Sequence, residues 1–403
     1  MKTLFKNYID TFKGLSTEVW WLALITFVNR AGTMVIPFLT LYLKEDLKFS
    51  LTEVSLIMAA FGLGSVAGSW IGGKLTDKIG YYKVMVRSLL STGLLFIVLQ
   101  YLNTFYSLCI GIFLVMTVAD TFRPAMFVAM SVYSKPENKT RSVTLIRLAI
   151  NLGFSAGPAV GGLIITFLGY SGLFWVDGIT CILATILLMM VLNPRVAKPI
   201  DNLEIENPVS IYKDKPFWIF FIAMIIFGII FMQYFSTMPL YYKEVHGLTE
   251  LQIGILLGLN GFFIFLLEMP LIKWLEDSKY SKIGLTLLGL LLTTISFYLL
   301  NITSWIGILI IGMLFVTVGE MIGFPFSNAF AMDRAKKGKS GEYLSMYVMA
   351  FAIANVFGHS GGLKLVATVG YANTWYIMAG LGLVGILLLL YLKRVLISKN
   401  ELT

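Results

Sequence analysis

From the N-terminus onward, the chain alternates long apolar runs with short polar connections. The runs occupy about 18–43, 51–73, 84–102, 106–132, 142–167, 171–192, 216–242, 249–274, 283–301, 305–331, 343–367 and 371–392. A helical crossing of a bilayer core takes about 20 mostly apolar residues, so the pattern predicts an all-α membrane protein of twelve transmembrane helices. Outward connections are as short as Asn103–Thr104 and Gly169–Ser171, whereas the longest polar stretch, 193–215, carries Pro194, Pro199 and Pro208. That stretch reads as a cytoplasmic linker between an N-terminal six-helix bundle (18–192) and a C-terminal one (216–392). Residues 393–403 form a cytoplasmic tail. In segment 1–17, Leu4, Phe5, Tyr8, Ile9 and Phe12 recur at helical spacing among Lys2, Lys6 and Lys13, the pattern of a helix lying in the membrane interface rather than a cleavable signal.

The two bundles repeat one another. Leu41-Tyr42-Leu43-Lys44-Glu45 with Leu51-Thr52-Glu53 matches Leu240-Tyr241-Tyr242-Lys243-Glu244 with Leu248-Thr249-Glu250. Asp77 falls opposite Asp277, and Asp120 opposite Glu320, always at an offset of 197 to 200 residues. Duplicated halves packed around a site near the midplane are a common build for secondary transporters.

Composition agrees with lipid as the solvent: 58% of residues are hydrophobic and 13% charged, against about 45–50% and 25% in soluble domains. The net charge of +9 would ordinarily raise nucleic acid as a partner, but its distribution does not. Basic residues gather in every second connection, as in Lys74, Lys78, Lys83 and Arg87, then Lys135, Lys139 and Arg141, then Arg334, Lys336, Lys337 and Lys339. This positive-inside asymmetry places both termini in the cytoplasm and makes anionic lipid the partner of the basic charge. Cys109 and Cys181 lie in apolar runs and read as small buried hydrophobes, with no disulfide or metal site. A Walker loop, a metal-ligand set and a nucleophile–base set are all missing, so the reading is of a non-enzyme without cofactor. Asn138-Lys139-Thr140 matches a glycosylation acceptor but falls on the cytoplasmic side.

Two motifs carry a resemblance. Gly73-Lys74-Leu75-Thr76-Asp77-Lys78-Ile79-Gly80-Tyr81-Tyr82-Lys83 resembles the signature of the major facilitator superfamily between helices 2 and 3, with Tyr81-Tyr82 where a basic pair is common. Gly153-Phe154-Ser155-Ala156-Gly157-Pro158-Ala159-Val160-Gly161-Gly162 is similar to the fifth-helix motif of its drug:proton antiporter branch. Physically, these small residues allow a close helix–helix approach and Pro158 bends the helix; a packing face with no bearing on transport direction is the other reading. The resemblance implies the major facilitator fold, alternating access, and conformational roles for Gly73, Asp77, Gly80, Arg147, Gly153, Gly157, Pro158, Gly161 and Gly162.

Ionisable residues within apolar spans are costly and point to function. Here they are Arg30, Asp120, Arg123, Arg147, Glu268, Glu320 and His359. The resemblance puts spans 1, 4, 7 and 10 around the central cavity, hence Asn29, Arg30, Arg123, Gln233, Tyr234, Phe324 and Asn328 as cavity residues. A desolvated carboxylate can exchange protons near neutral pH. Glu320 is the first choice, having no base within one helical turn; Asp120, one turn from Arg123, is either a second proton site or a structural ion pair. Glu268 carries a proton or gates, and His359 titrates or packs. A fainter similarity, through Arg30–Leu43 and Glu320–Pro325, is to proton-coupled oligopeptide transporters, with Thr26 and Asn29 where that family has acids. The expected function is therefore proton-coupled antiport of a small organic solute (drug or metabolite efflux) in a bacterial inner membrane, by a monomer without nucleic-acid partners. Transport of short peptides or amino-acid-like solutes is the alternative; a lipid flippase or a membrane sensor is the alternative from another class.

Overall fold

The computed structural model describes residues 14–135, 139–194, 211–276, 278–335, 340–399 and 401. The expected interfacial helix at residues 4–12, linker residues 195–210, Asp277, the glycosylation match at Asn138, and Lys336, Lys337 and Lys339 lie outside them. Among the described residues every regular element is helical. In chain order these are α1 (Thr17–Ala31), α2 (Val35–Leu41) with a π-helical turn (Tyr42–Asp46), α3 (Leu51–Ile79), α4 (Tyr81–Leu99), α5 (Phe105–Asp120) and α6 (Phe122–Tyr133). There follow α7 (Lys139–Val191), a short 3₁₀ turn (Ile211–Lys213), α8 (Lys215–Glu244), α9 (Glu250–Glu276), α10 (Lys282–Leu299), α11 (Gly307–Ala335) and α12 (Ser340–Ser398).

Among the described residues ten helices, some including a kink, are long and apolar enough to cross a membrane. Two of them, α7 at 53 residues and α12 at 59, far exceed one crossing. Each breaks at a single glycine, Gly169 (φ 69°) and Gly370 (φ 79°), in the left-handed region that a Cβ disfavours. Counting each as two crossings accounts for the twelve runs in the sequence.

Two spans expected to be continuous are interrupted. The first breaks over Gly32–Met34 between α1 and α2. The fourth breaks at Thr121 between α5 and α6, because Pro124 has no N–H to offer the carbonyl of Asp120 four residues back.

The chain divides into two compact units that cut across the linear halves. The first comprises residues 1–38, 63–200 and 250–262; the second comprises 39–62, 201–249 and 263–403. In lipid, hydrophobicity gives little drive for helix association, and close backbone approach takes its place. The first unit shows this along α3: a Cβ at Gly64 would lie 2.5 Å from the Phe113 carbonyl and one at Gly72 2.6 Å from Thr121 Cα. Its core includes Leu22, Met85, Phe122, Ala125 and Leu188.

In the second unit the corresponding spans, α8 and α11, run unbroken for 30 and 29 residues. At their shared end Asp214 caps α8 by accepting from Phe217 N (3.3 Å), while Arg334 of α11 pairs with Asp214 through Nε (3.0 Å) and a terminal nitrogen. Tyr343 Oη donates to Asp214 (2.9 Å), and Arg334 also reaches Glu401 at 2.5 Å. Both members of the central pair are buried.

Candidate functional site

The break in the first span is held from a distance. At Gly32–Met34 the chain leaves the α1 ladder, and the N–H groups of Met34 and Val35 lose helical partners. Asp177 on α7, wholly buried, takes them over: Oδ1 accepts from Met34 N at 2.9 Å, and Oδ2 from Met34 N at 3.1 Å and Val35 N at 2.9 Å. One turn on, Thr180 abuts Gly32 so closely that any Cβ there would collide with it. Sequence reasoning missed Asp177, although the rule that flagged Asp120 applies equally to a lone acid in the sixth run.

Just before this break stand Asn29 and Arg30. The Asn29 amide donates to Cys181 Sγ at 3.6 Å. The Arg30 guanidinium lies over Phe154 (5.6 Å to the ring centroid), and its Nε is buried with no hydrogen-bond partner. Its electrostatic neighbours are Arg123, Asp120 and Cys181. At the α5–α6 break, buried Asp120 accepts from Ser65 Oγ of α3 and faces Arg123 Nη2 at 3.6 Å. The structure thus brings Arg30, Asp120 and Arg123 together, two cations about one carboxylate, each beside a helix interruption.

The fifth-helix motif packs on two sides. A Cβ at Gly153 would lie 2.5 Å from Arg30 Cβ, one at Gly157 3.1 Å from Ala31 O, and one at Gly161 3.0 Å from the Phe38 ring. Gly162 meets the Glu250 carbonyl (2.7 Å), Gly254 meets that of Pro158, and Ser155 Oγ donates to Gly258 O at 2.8 Å. Residues 30–38 and 250–262 therefore clasp this part of α7 from both sides. Arg147, earlier on α7, is half-buried.

The motif after the second span behaves less uniformly. Gly80 (φ 85°) starts α4 in the left-handed region. Gly73 has open space around its Cβ position; the close approach to Thr121 belongs to Gly72. Asp77 is exposed, with no hydrogen bond or ion pair of its carboxylate found among the described residues.

In the second unit Gln233 is fully buried and its amide is engaged: Nε2 donates to Ile229 O and Gly358 O, both at 2.8 Å, and Oε1 accepts from Thr237 Oγ1 at 3.1 Å. Tyr234, also buried, lies within electrostatic range of half-buried Glu320. Phe324 sits among Phe227, Phe231 and Phe351 at centroid distances of 5.0, 4.8 and 5.4 Å. Asn328 is exposed and Glu268 buried. His359 is buried edge-on to Phe61 at 5.4 Å, with Nδ1 unpartnered.

Broken spans, buried charges and glycine-mediated packing are the parts of a secondary carrier rather than of an enzyme. The family model of the major facilitator superfamily matches residues 22–359, and the chain belongs to that superfamily. It is 22% identical to a Na(+), Li(+), K(+)/H(+) antiporter of Planococcus maritimus, covering 87% of this chain and 90% of that one. It is 24% identical to the chloramphenicol resistance protein CraA of Acinetobacter baumannii, covering 88% and 89%. In fold it is similar to a POT family transporter solved with 5-aminolevulinic acid (TM-score 0.79, 16% identity, 96% and 97% covered) and to the nucleoside transporter NupG (TM-score 0.75, 15% identity, 93% and 99% covered). The protein is a multi-pass membrane transporter of the major facilitator fold.

Proposed function

We propose that this chain exports a small organic solute by alternating access, in exchange for protons. The observation that carries the reading is the contrast between two mid-span acids, buried Asp120 and half-buried Glu320. Asp120 spends its charge on Ser65 and Arg123, with Arg30 beside it, as a structural ion pair does. Glu320 sits on an unbroken helix beside Tyr234, with no basic residue within one turn along α11. An ionisable side chain within a spanning helix marks a proton or ion pathway, so Glu320 is the group that takes up and releases the proton. Half-buried Phe324 and Phe351, backed by buried Phe227 and Phe231, form an apolar aromatic cluster suited to amphipathic or cationic solutes. The antiporter and the chloramphenicol resistance protein among its relatives support the same direction. Bacterial relatives and basic connections support a bacterial inner membrane with both termini in the cytoplasm.

A second reading has its own observation. The unpartnered Nε of Arg30 fits a solute carboxylate, which favours short peptides or amino-acid-like substrates. One experiment decides between them: everted vesicles, acid inside, are challenged with cationic drugs and with short peptides, comparing wild type with Glu320→Gln. Dissipation of the gradient by a drug in wild type alone supports proton antiport through Glu320. Movement of labelled peptide down its own gradient in both proteins, with no proton flux, sinks antiport and returns Glu320 to a packing role.

A further inference from the structure

On α4, Lys83, Arg87, Leu90, Leu94 and Val98 recur every three or four residues and are all exposed, so they form one stripe. The stripe changes character along its length: two cations in the first two turns, then only apolar side chains. Across from it, Ile179, Leu183, Ile186 and Met189 of α7 form a second exposed apolar row. The two helices touch at their glycines, where a Cβ on Gly93 would lie 2.7 Å from the Gly178 carbonyl. Toward the Gly80 end they leave a groove of about 230 Å³ lined by Tyr82, Lys83, Val86, Arg87 and Met189.

We propose that this groove binds the headgroup of an anionic phospholipid, whose acyl chains run down the apolar stripe of α4 and row of α7. Neither Lys83 nor Arg87 makes an ion pair or hydrogen bond with a described residue, so among the described residues their charge is uncompensated. The groove opens at the end of the bundle where basic connections gather, the level at which lipid phosphates sit. A free phosphate would meet the cations but leave the apolar rows uncovered, whereas a diacyl phosphate matches both. Tyr82, half-buried at the rim, adds the amphipathic ring favoured at headgroup depth. The groove shares no lining residue with Arg30, Asp120 or Glu320, and the proposal does not depend on the transported solute.

The test is native mass spectrometry of the full chain equilibrated with equal amounts of phosphatidylglycerol, phosphatidylethanolamine and phosphatidylcholine. Wild type retains phosphatidylglycerol preferentially. The double variant Lys83→Gln/Arg87→Gln loses roughly fivefold in retention for each cation, while Lys213→Gln/Lys215→Gln, with the same loss of charge on the other unit, binds as wild type. Exchange of the two bases, Lys83→Arg/Arg87→Lys, preserves binding and shows that the neutral variant fails through charge rather than misfolding. Met189→Trp, which fills the groove and keeps the charge, also weakens retention. Equal loss in both neutralised variants, or undiminished binding by Met189→Trp, overturns the site and leaves a diffuse attraction of basic loops to the membrane.

Discussion

The two units answer the same problem, holding charge inside an apolar bundle, in opposite ways. In the first, the spans carrying Arg30 and Asp120 are broken beside those residues, and the charges lie in mid-span among Ser65, Phe154 and Arg123. In the second, α8 and α11 are unbroken and the closed network of Asp214, Arg334, Tyr343 and Glu401 stands at their ends. Mid-span, that unit places Gln233, wholly engaged in packing, and Glu320. Broken helices expose backbone and permit local rearrangement, whereas unbroken ones tied at the end act as a frame. The lesson is that sequence duplication need not duplicate mechanics.

The contrast can be broken first where the effect is largest. Asp214→Ala leaves Arg334 with its main partner gone and should cost about 3–5 kcal/mol, read as a fall in melting temperature in detergent. Asp120→Asn should change that temperature far less while stopping transport; equal losses of stability would mean that both clusters are frames. Next is Asp177→Ala, which orphans two N–H groups at about 1–3 kcal/mol each. Hydrogen exchange should rise at residues 33–36 and nowhere along α8. A smaller effect, about 1 kcal/mol of added stability, is expected from Pro124→Ala, which restores a donor for the Asp120 carbonyl. Turnover should fall as the helix straightens, and unchanged turnover would show that the interruption has no part in transport. The smallest effect concerns His246, in the connection after α8. Burial holds its imidazole below the usual range, so the unfolded chain takes the proton first and stability drops as pH falls below about 6.5. A melting-temperature scan from pH 8 to 5 should be slightly flatter for His246→Gln.

Much of this was legible from residue order alone. The apolar runs set the spans, the spacing of Gly153, Gly157 and Gly161 announced a packing face, and Asp120 with Arg123 stood out as charges one turn apart. What stayed hidden depended on partners far along the chain. Gly32, and Pro37 four residues after Thr33, hint at a stop there, but the groups stabilising it belong to Asp177, 143 residues from Met34. Asp214 read as linker because its role exists only once Arg334 is beside it. Pro124 hints at the interruption at Thr121 by the four-residue rule, yet Pro239 and Pro325 lie inside the unbroken α8 and α11, so the rule alone does not single it out.

The cap on α2 also bears on how the protein is made. During synthesis at roughly 5–20 residues per second, Asp177 leaves the ribosome on the order of ten seconds after Met34. Until then nothing offers the Met34 and Val35 amides a carboxylate, and in hydrocarbon an unpaired amide is untenable. The interruption that Gly32 and Pro37 favour in the first segment therefore gains its carboxylate cap only when the sixth segment arrives, so its mature geometry is completed by assembly rather than by insertion.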